Sequence, residues 1–193
     1  MHSLRSLLFV VLLSGSILLA QTPAPLKTPA ADPNCDEQCR ATTELVHKQF
    51  GPDFKLVRSF EPLMGDIDGD GTEDLVVVAS IPNPLNGEAD FGYKVVDPYD
   101  AFFGFGNARI TQQFAMTNAT GDPRDLLIVH NWRSATPGPK WVIINTPFEK
   151  IKLAKATVKK KKVTAISVTD ETGTVGDIVW TGKKYKWSPA GSE

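Results

Sequence analysis

The chain is poor in the residues from which familiar active sites are built. Its 193 residues include two cysteines, three histidines, three methionines and three tyrosines. A structural zinc site takes four cysteine or histidine ligands, and past the N-terminal leader only Cys35, Cys39, His47 and His130 remain. The cysteines do not form a haem attachment motif either, because that motif has two intervening residues and a following histidine, whereas Arg40 follows Cys39. No nucleophile elbow, metalloprotease helix motif or phosphate loop is present. Charge of one sign is also lacking, with 21 Lys and Arg against 22 Asp and Glu, a net charge of −1. Nucleic acid is therefore not an expected partner. Beyond residue 20 no apolar run approaches the roughly 20 residues that cross a bilayer, so no membrane span is expected in the mature chain.

The N-terminus shows the pattern of export. Arg5 precedes the apolar stretch Leu7 to Leu13, and Ile17-Leu18-Leu19-Ala20 ends in a small residue. This is read as a bacterial signal peptide over residues 1–20, cleaved after Ala20, placing the product in the periplasm or outside the cell. Residues 21–34 carry four prolines and little large apolar content, the composition of an extended linker. Residues 35–190 are then expected to form one domain with a single core. An even number of cysteines in an oxidising compartment favours a Cys35–Cys39 disulfide.

Asn34-Cys35-Asp36-Glu37 reads as a capping box, with Asn34 as N-cap and Glu37 completing it, and Gly51-Pro52 ends the helix. Cys35, Cys39, Thr42, Val46 and Phe50 follow helical spacing and predict one core-facing stripe. Thereafter short runs rich in β-branched residues recur between turns: 54–60, 75–81, 91–96, 109–114, 125–130, 140–145, 151–158, 163–169, 175–181 and 184–187. The expected class is mainly β (α+β): an antiparallel meander, sandwich or partly closed barrel with one N-terminal helix packed on it. The clearest hairpin is Ile178-Val179-Trp180 and Tyr185-Lys186-Trp187 around Gly182.

The densest chemistry lies in Gly65-Asp66-Ile67-Asp68-Gly69-Asp70-Gly71-Thr72-Glu73-Asp74. Carboxylates at alternate positions of a tight loop supply the hard oxygen donors that calcium takes six to eight of, at about 2.3 to 2.6 Å. Asp66, Asp68, Asp70 and Asp74 are expected to give side-chain oxygens to one Ca²⁺ and Thr72 its carbonyl, with Gly71 allowing the turn and Glu73 pointing outward. In an EF-hand the twelfth position is a bidentate Glu between helices; here it is Val77, inside the strand-like run Leu75-Val76-Val77-Val78-Ala79. The segment from Gly65 to Ala79 instead resembles the calcium loop of FG-GAP and VCBS-type repeats, D-x-D-x-D-G-x-x-D followed by an apolar strand. That resemblance implies Asp66, Asp68, Asp70, Thr72 and Asp74 as ligands. It covers about fifteen residues in one copy, so a full β-propeller, which needs roughly four to eight blades, is not implied.

Two further regions are candidates. Aromatics crowd 91–105, from Phe91 to Phe105, where an exposed strip would hold a carbohydrate or protein ligand, while core packing accounts for rings that face inward. His130 with a nearby carboxylate is the alternative, a secreted hydrolase. The favoured expectation is a secreted calcium-binding module, a binding, interaction or envelope protein and not an enzyme.

Overall fold

The computed structural model describes residues 35–105, 124–158 and 161–190. Helix α1 (Glu37–Phe50) leads into β1 (Lys55–Leu56), β2 (Leu63–Gly65) and β3 (Asp74–Ser80). A 3₁₀ turn at Pro84–Gly87 runs into the one-turn helix α2 (Glu88–Phe91), followed by β4 (Tyr93–Val96) and α3 (Pro98–Phe102). The remainder is β5 (Asp125–Val129), β6 (Lys140–Ile143), β7 (Lys150–Val158), β8 (Lys161–Thr169), β9 (Val175–Trp180) and β10 (Tyr185–Pro189).

The strands make two sheets, and neither closes into a barrel. In the first, the order is β1-β3-β5-β6-β4, with β2 also paired to β3. The second is the meander β7-β8-β9-β10, antiparallel throughout. The fold is thus mainly β with an N-terminal helix, as expected. A meander describes only the second sheet, because β4 precedes β5 in the chain yet pairs β6 in parallel, on the edge of β6 away from β5.

Alternation along the central strands explains the layering. Leu75, Val77 and Ala79 of β3, with Leu127 and Val129 of β5, pack under Val46 and Phe50 of α1 and under Phe54 and Tyr93. Val76, Val78, Leu126 and Ile128 point the other way, against Ile166, Val168, Ile178, Tyr185 and Trp187 of the second sheet. A strand covered on both faces needs no polar positions, so β3 and β5 read as unbroken apolar runs. At roughly 1.5 to 3 kcal/mol for each fully buried large aliphatic side chain, these two strands supply much of the driving force for folding.

Several local expectations are corrected. The N-cap of α1 is Asp36, whose carboxylate accepts from Cys39 N at 2.8 Å; Asn34 lies outside the described residues. Cys35 and Cys39 are bonded, but Cys35 precedes the cap, so the bridge ties the entering chain to the first turn and is not intrahelical. Both are half-buried, and the buried stripe of α1 is its C-terminal part, Val46, Gln49 and Phe50. α1 is not the sole helix, since α2 and α3 occupy the aromatic stretch. The run 54–60 yields only the two residues of β1, while β2 has no counterpart in the predicted strands. Run 109–114 lies outside the described residues. The terminal hairpin is present, with Trp180 paired to Tyr185 and Gly182 at φ 83°.

Candidate metal centre

The acidic loop joins β2 to β3 and is wound on its own carboxylates. Asp66 accepts from Gly69 N at 2.7 Å through Oδ1 and from Gly71 N at 3.1 Å through Oδ2. Asp68 Oδ1 accepts from Asp70 N at 3.1 Å, and Asp70 Oδ1 from Thr72 N at 2.7 Å and Thr72 Oγ1 at 2.6 Å. Short acceptors bonding backbone groups two or three residues on are what fold such a turn. Gly69 and Gly71 sit at φ 81° and 87°, a region where a Cβ is costly. The hydroxyl and amide of Thr72 hold the Asp70 carboxyl below the usual carboxylate range.

This winding brings Asp66, Asp68 and Asp70 together, each with a carboxylate oxygen within 4.8 Å of the others. Charges at that separation repel by roughly 1 kcal/mol per pair even in water and by several times that at a protein surface. A divalent cation among the three oxygens turns repulsion into attraction, and hard carboxylate oxygens are the donors that calcium prefers.

Asp74, the fourth carboxylate, stands apart. It is fully buried at the start of β3. Its Oδ2 accepts from Ile67 N at 2.8 Å and Asp68 N at 3.2 Å, and its Oδ1 from Asn131 N at 2.9 Å. Burial raises its pKa, opposed by the amides of Asn131 and Ile67. Asp74 thereby clamps the loop's entry to the turn after β5. It joins a second possible metal-holding group with Asp68 and His130, so Asp68 is common to both.

His130 is the partner that sequence spacing did not disclose. It is 2% exposed. Its Nδ1 lies 2.6 Å from Asp68 Oδ2 and its Nε2 2.9 Å from the Tyr185 hydroxyl on β10. Trp180 and Tyr185 pack around the imidazole at 5.3 and 6.0 Å, and Trp141 packs against both. Burial drives the Tyr185 phenol well above its ordinary value, with Asp74 and Asp68 adding to the rise, so the hydroxyl keeps its proton. Gly138 lies directly against His130, where an added Cβ would come within 3.0 Å of the His130 Cβ. Both ring nitrogens are therefore engaged and the imidazole is enclosed. The signal in the sequence was only a histidine ending an apolar run.

Glu73 does point away from the other acids, as expected, toward Arg133, whose Nε donates to it at 2.5 Å. The aromatic stretch divides in two. Tyr93 is core, its hydroxyl donating to Pro84 O at 2.6 Å, and Phe91 packs beside it. Phe102, Phe103 and Phe105 are exposed. No described protein family, curated protein or solved structure matches the chain.

Proposed function

We propose that the loop binds one calcium ion and that the protein is an exported calcium-stabilised binding module of the bacterial envelope or exterior. One observation carries the reading: the carboxylates of Asp66, Asp68 and Asp70 converge within 4.8 Å on a loop whose glycines and Asx turns hold them there. The loop passes directly into β3, which supports the resemblance to FG-GAP and VCBS-type loops over an EF-hand. In this reading Asp66, Asp68 and Asp70 supply side-chain oxygens, Thr72 its carbonyl and Asp74 a buried anchor at the edge of the shell. The Cys35–Cys39 bond accords with an oxidising compartment. Ligand contact falls to the exposed part of the aromatic stretch, Phe102 to Phe105. The enclosure of His130 favours a bracing role over that of a hydrolase base, which must reach a substrate proton.

The chemistry of the site is linkage. Calcium binds the folded loop, so saturation at about 100 times the dissociation constant adds about 2.7 kcal/mol to stability, a rise in melting temperature of roughly 5 to 10 °C for a chain of this size. Melts and titration calorimetry with calcium, magnesium and chelator test this. A calcium-dependent rise with a binding isotherm is expected; the same midpoint in all three conditions, with no heat of binding, removes the reading.

A further inference from the structure

We propose that the groove lined by Lys94, Lys183, Lys184 and Lys186, with the phenyl rings of α3 beside it, docks on an anionic phospholipid surface. The groove is about 820 Å³. Lys94 reaches it from β4, Lys183 and Lys184 from the β9–β10 turn and Lys186 from β10, and among the described residues no carboxylate lines it. All four lysines are exposed. Four lysines, three from the β9–β10 hairpin and one from β4 whose ammonium lies 5.2 Å from the Trp141 ring centre, thus line one hollow with no acid among the described lining residues, on a chain whose overall charge is close to neutral. Such a local field attracts an anionic surface.

Trp187 connects the groove to the second feature. It lines the hollow, and its ring lies 4.9 Å from Phe102 and 5.9 Å from Phe103. Those two phenyl rings are 49% and 50% exposed, on a helix held to the second sheet through Tyr99 and Trp187. Apolar rings beside a basic patch match the boundary between headgroups and acyl chains: phosphates meet the lysines and the rings enter hydrocarbon. A soluble polyanion would satisfy the lysines and leave the rings in water. The rings also form no stacking platform for bases or sugars, since Phe102 and Phe103 stand at 90° to each other. Among the described residues the hollow offers no side-chain amide or carboxylate to read sugar hydroxyls. The lipid surface is therefore the occupant that uses both halves of the site.

The test is flotation of the full chain with vesicles of phosphatidylcholine alone or containing about 30% phosphatidylglycerol. The apolar N-terminal segment is common to every variant, so the readout is the gain from anionic lipid. We expect at least tenfold stronger binding to the anionic vesicles, weakened by salt. Lys94→Gln, Lys183→Gln, Lys184→Gln and Lys186→Gln combined should abolish that gain. Phe102→Ser with Phe103→Ser should reduce it several-fold while far-ultraviolet circular dichroism and a cooperative urea transition confirm the fold. No gain from anionic lipid, or a gain untouched in the lysine variant, overturns the proposal. So does tighter binding to a sulfated polysaccharide or single-stranded DNA that depends on the lysines and ignores the phenylalanines.

Discussion

His130 Nδ1 lies 2.6 Å from Asp68 Oδ2 although the two residues are 62 positions apart. The contact joins the acidic loop to the end of β5, and Tyr185 carries it on to the second sheet. A loop also tied to the turn after β5 through Asp74 and Glu73 is thereby braced against the aromatic cluster of Trp141, Trp180 and Tyr185.

Replacing His130 breaks that brace. His130→Ala leaves Asp68 and the buried Tyr185 hydroxyl without their partner and opens space among the aromatic rings, so a loss of about 1 to 3 kcal/mol is expected in urea unfolding. Calcium affinity should fall about tenfold, because groups that orient a ligand carboxylate commonly matter to that degree. Calorimetry checks the second number independently of the first.

Asp66→Asn should change sign with the solution. In chelator it relieves repulsion against Asp68 and Asp70, and the variant should melt at or slightly above the parent. In about 10 mM calcium it loses a charged donor and should melt several degrees below it. Paired thermal melts decide this, and a uniform shift in both solutions would assign Asp66 to the turn alone.

Stability should fall as pH rises toward 8. Burial pushes the Asp125 carboxyl up to about 8; burial also lifts Asp97 to about 6, opposed by the Asn145 amide, which donates to it at 2.7 Å. Both folded values lie above the ordinary aspartate value of 3.8. Each contribution is therefore fully present below the unfolded value and lost as pH rises through the folded one, at up to about 1.4 kcal/mol per pH unit for each proton. Asp125→Asn removes the longer window, so its unfolding free energy between pH 6 and 8 should vary less than that of the parent. Urea titrations across that range measure it.

Gly176 is fixed by contact with Trp187. A Cβ there would fall 2.2 Å from Trp187 Nε1, and the ring cannot retreat because Tyr99 and Phe102 pack against it. Gly176→Ala should cost about 1 to 3 kcal/mol through overpacking and alter the near-ultraviolet signal of the tryptophans. Ala at Gly182, where a Cβ meets nothing within 4 Å, tests only backbone strain and should leave that signal unchanged.

What could be read from the residues alone was whatever neighbours along the chain decide. The turn from Asp66 is such a case, since the carboxylates of Asp66, Asp68 and Asp70 bond amides two to five residues on, and so is the hairpin around Gly182. Helix α1 was legible in its extent toward Phe50, but its cap is Asp36, and the sequence offered two suitable side chains two residues apart. The strands β3 and β5 were legible as strands, while their partners were not: apolar on both faces, Leu75 to Ala79 carries no mark of which side meets α1 and which meets the second sheet. The parallel pairing of β4 with β6, the seating of α3 on Trp187 and the convergence of Lys94 with Lys183, Lys184 and Lys186 likewise depend on how the two sheets stack. The sequence by itself thus determined an acidic turn with calcium-type spacing and an alternation of strands. Only the tertiary structure decided that Asp74 is buried beneath that turn and that His130 braces it, because those contacts form when distant strands are driven together by burial of their apolar faces, a force without direction along the chain.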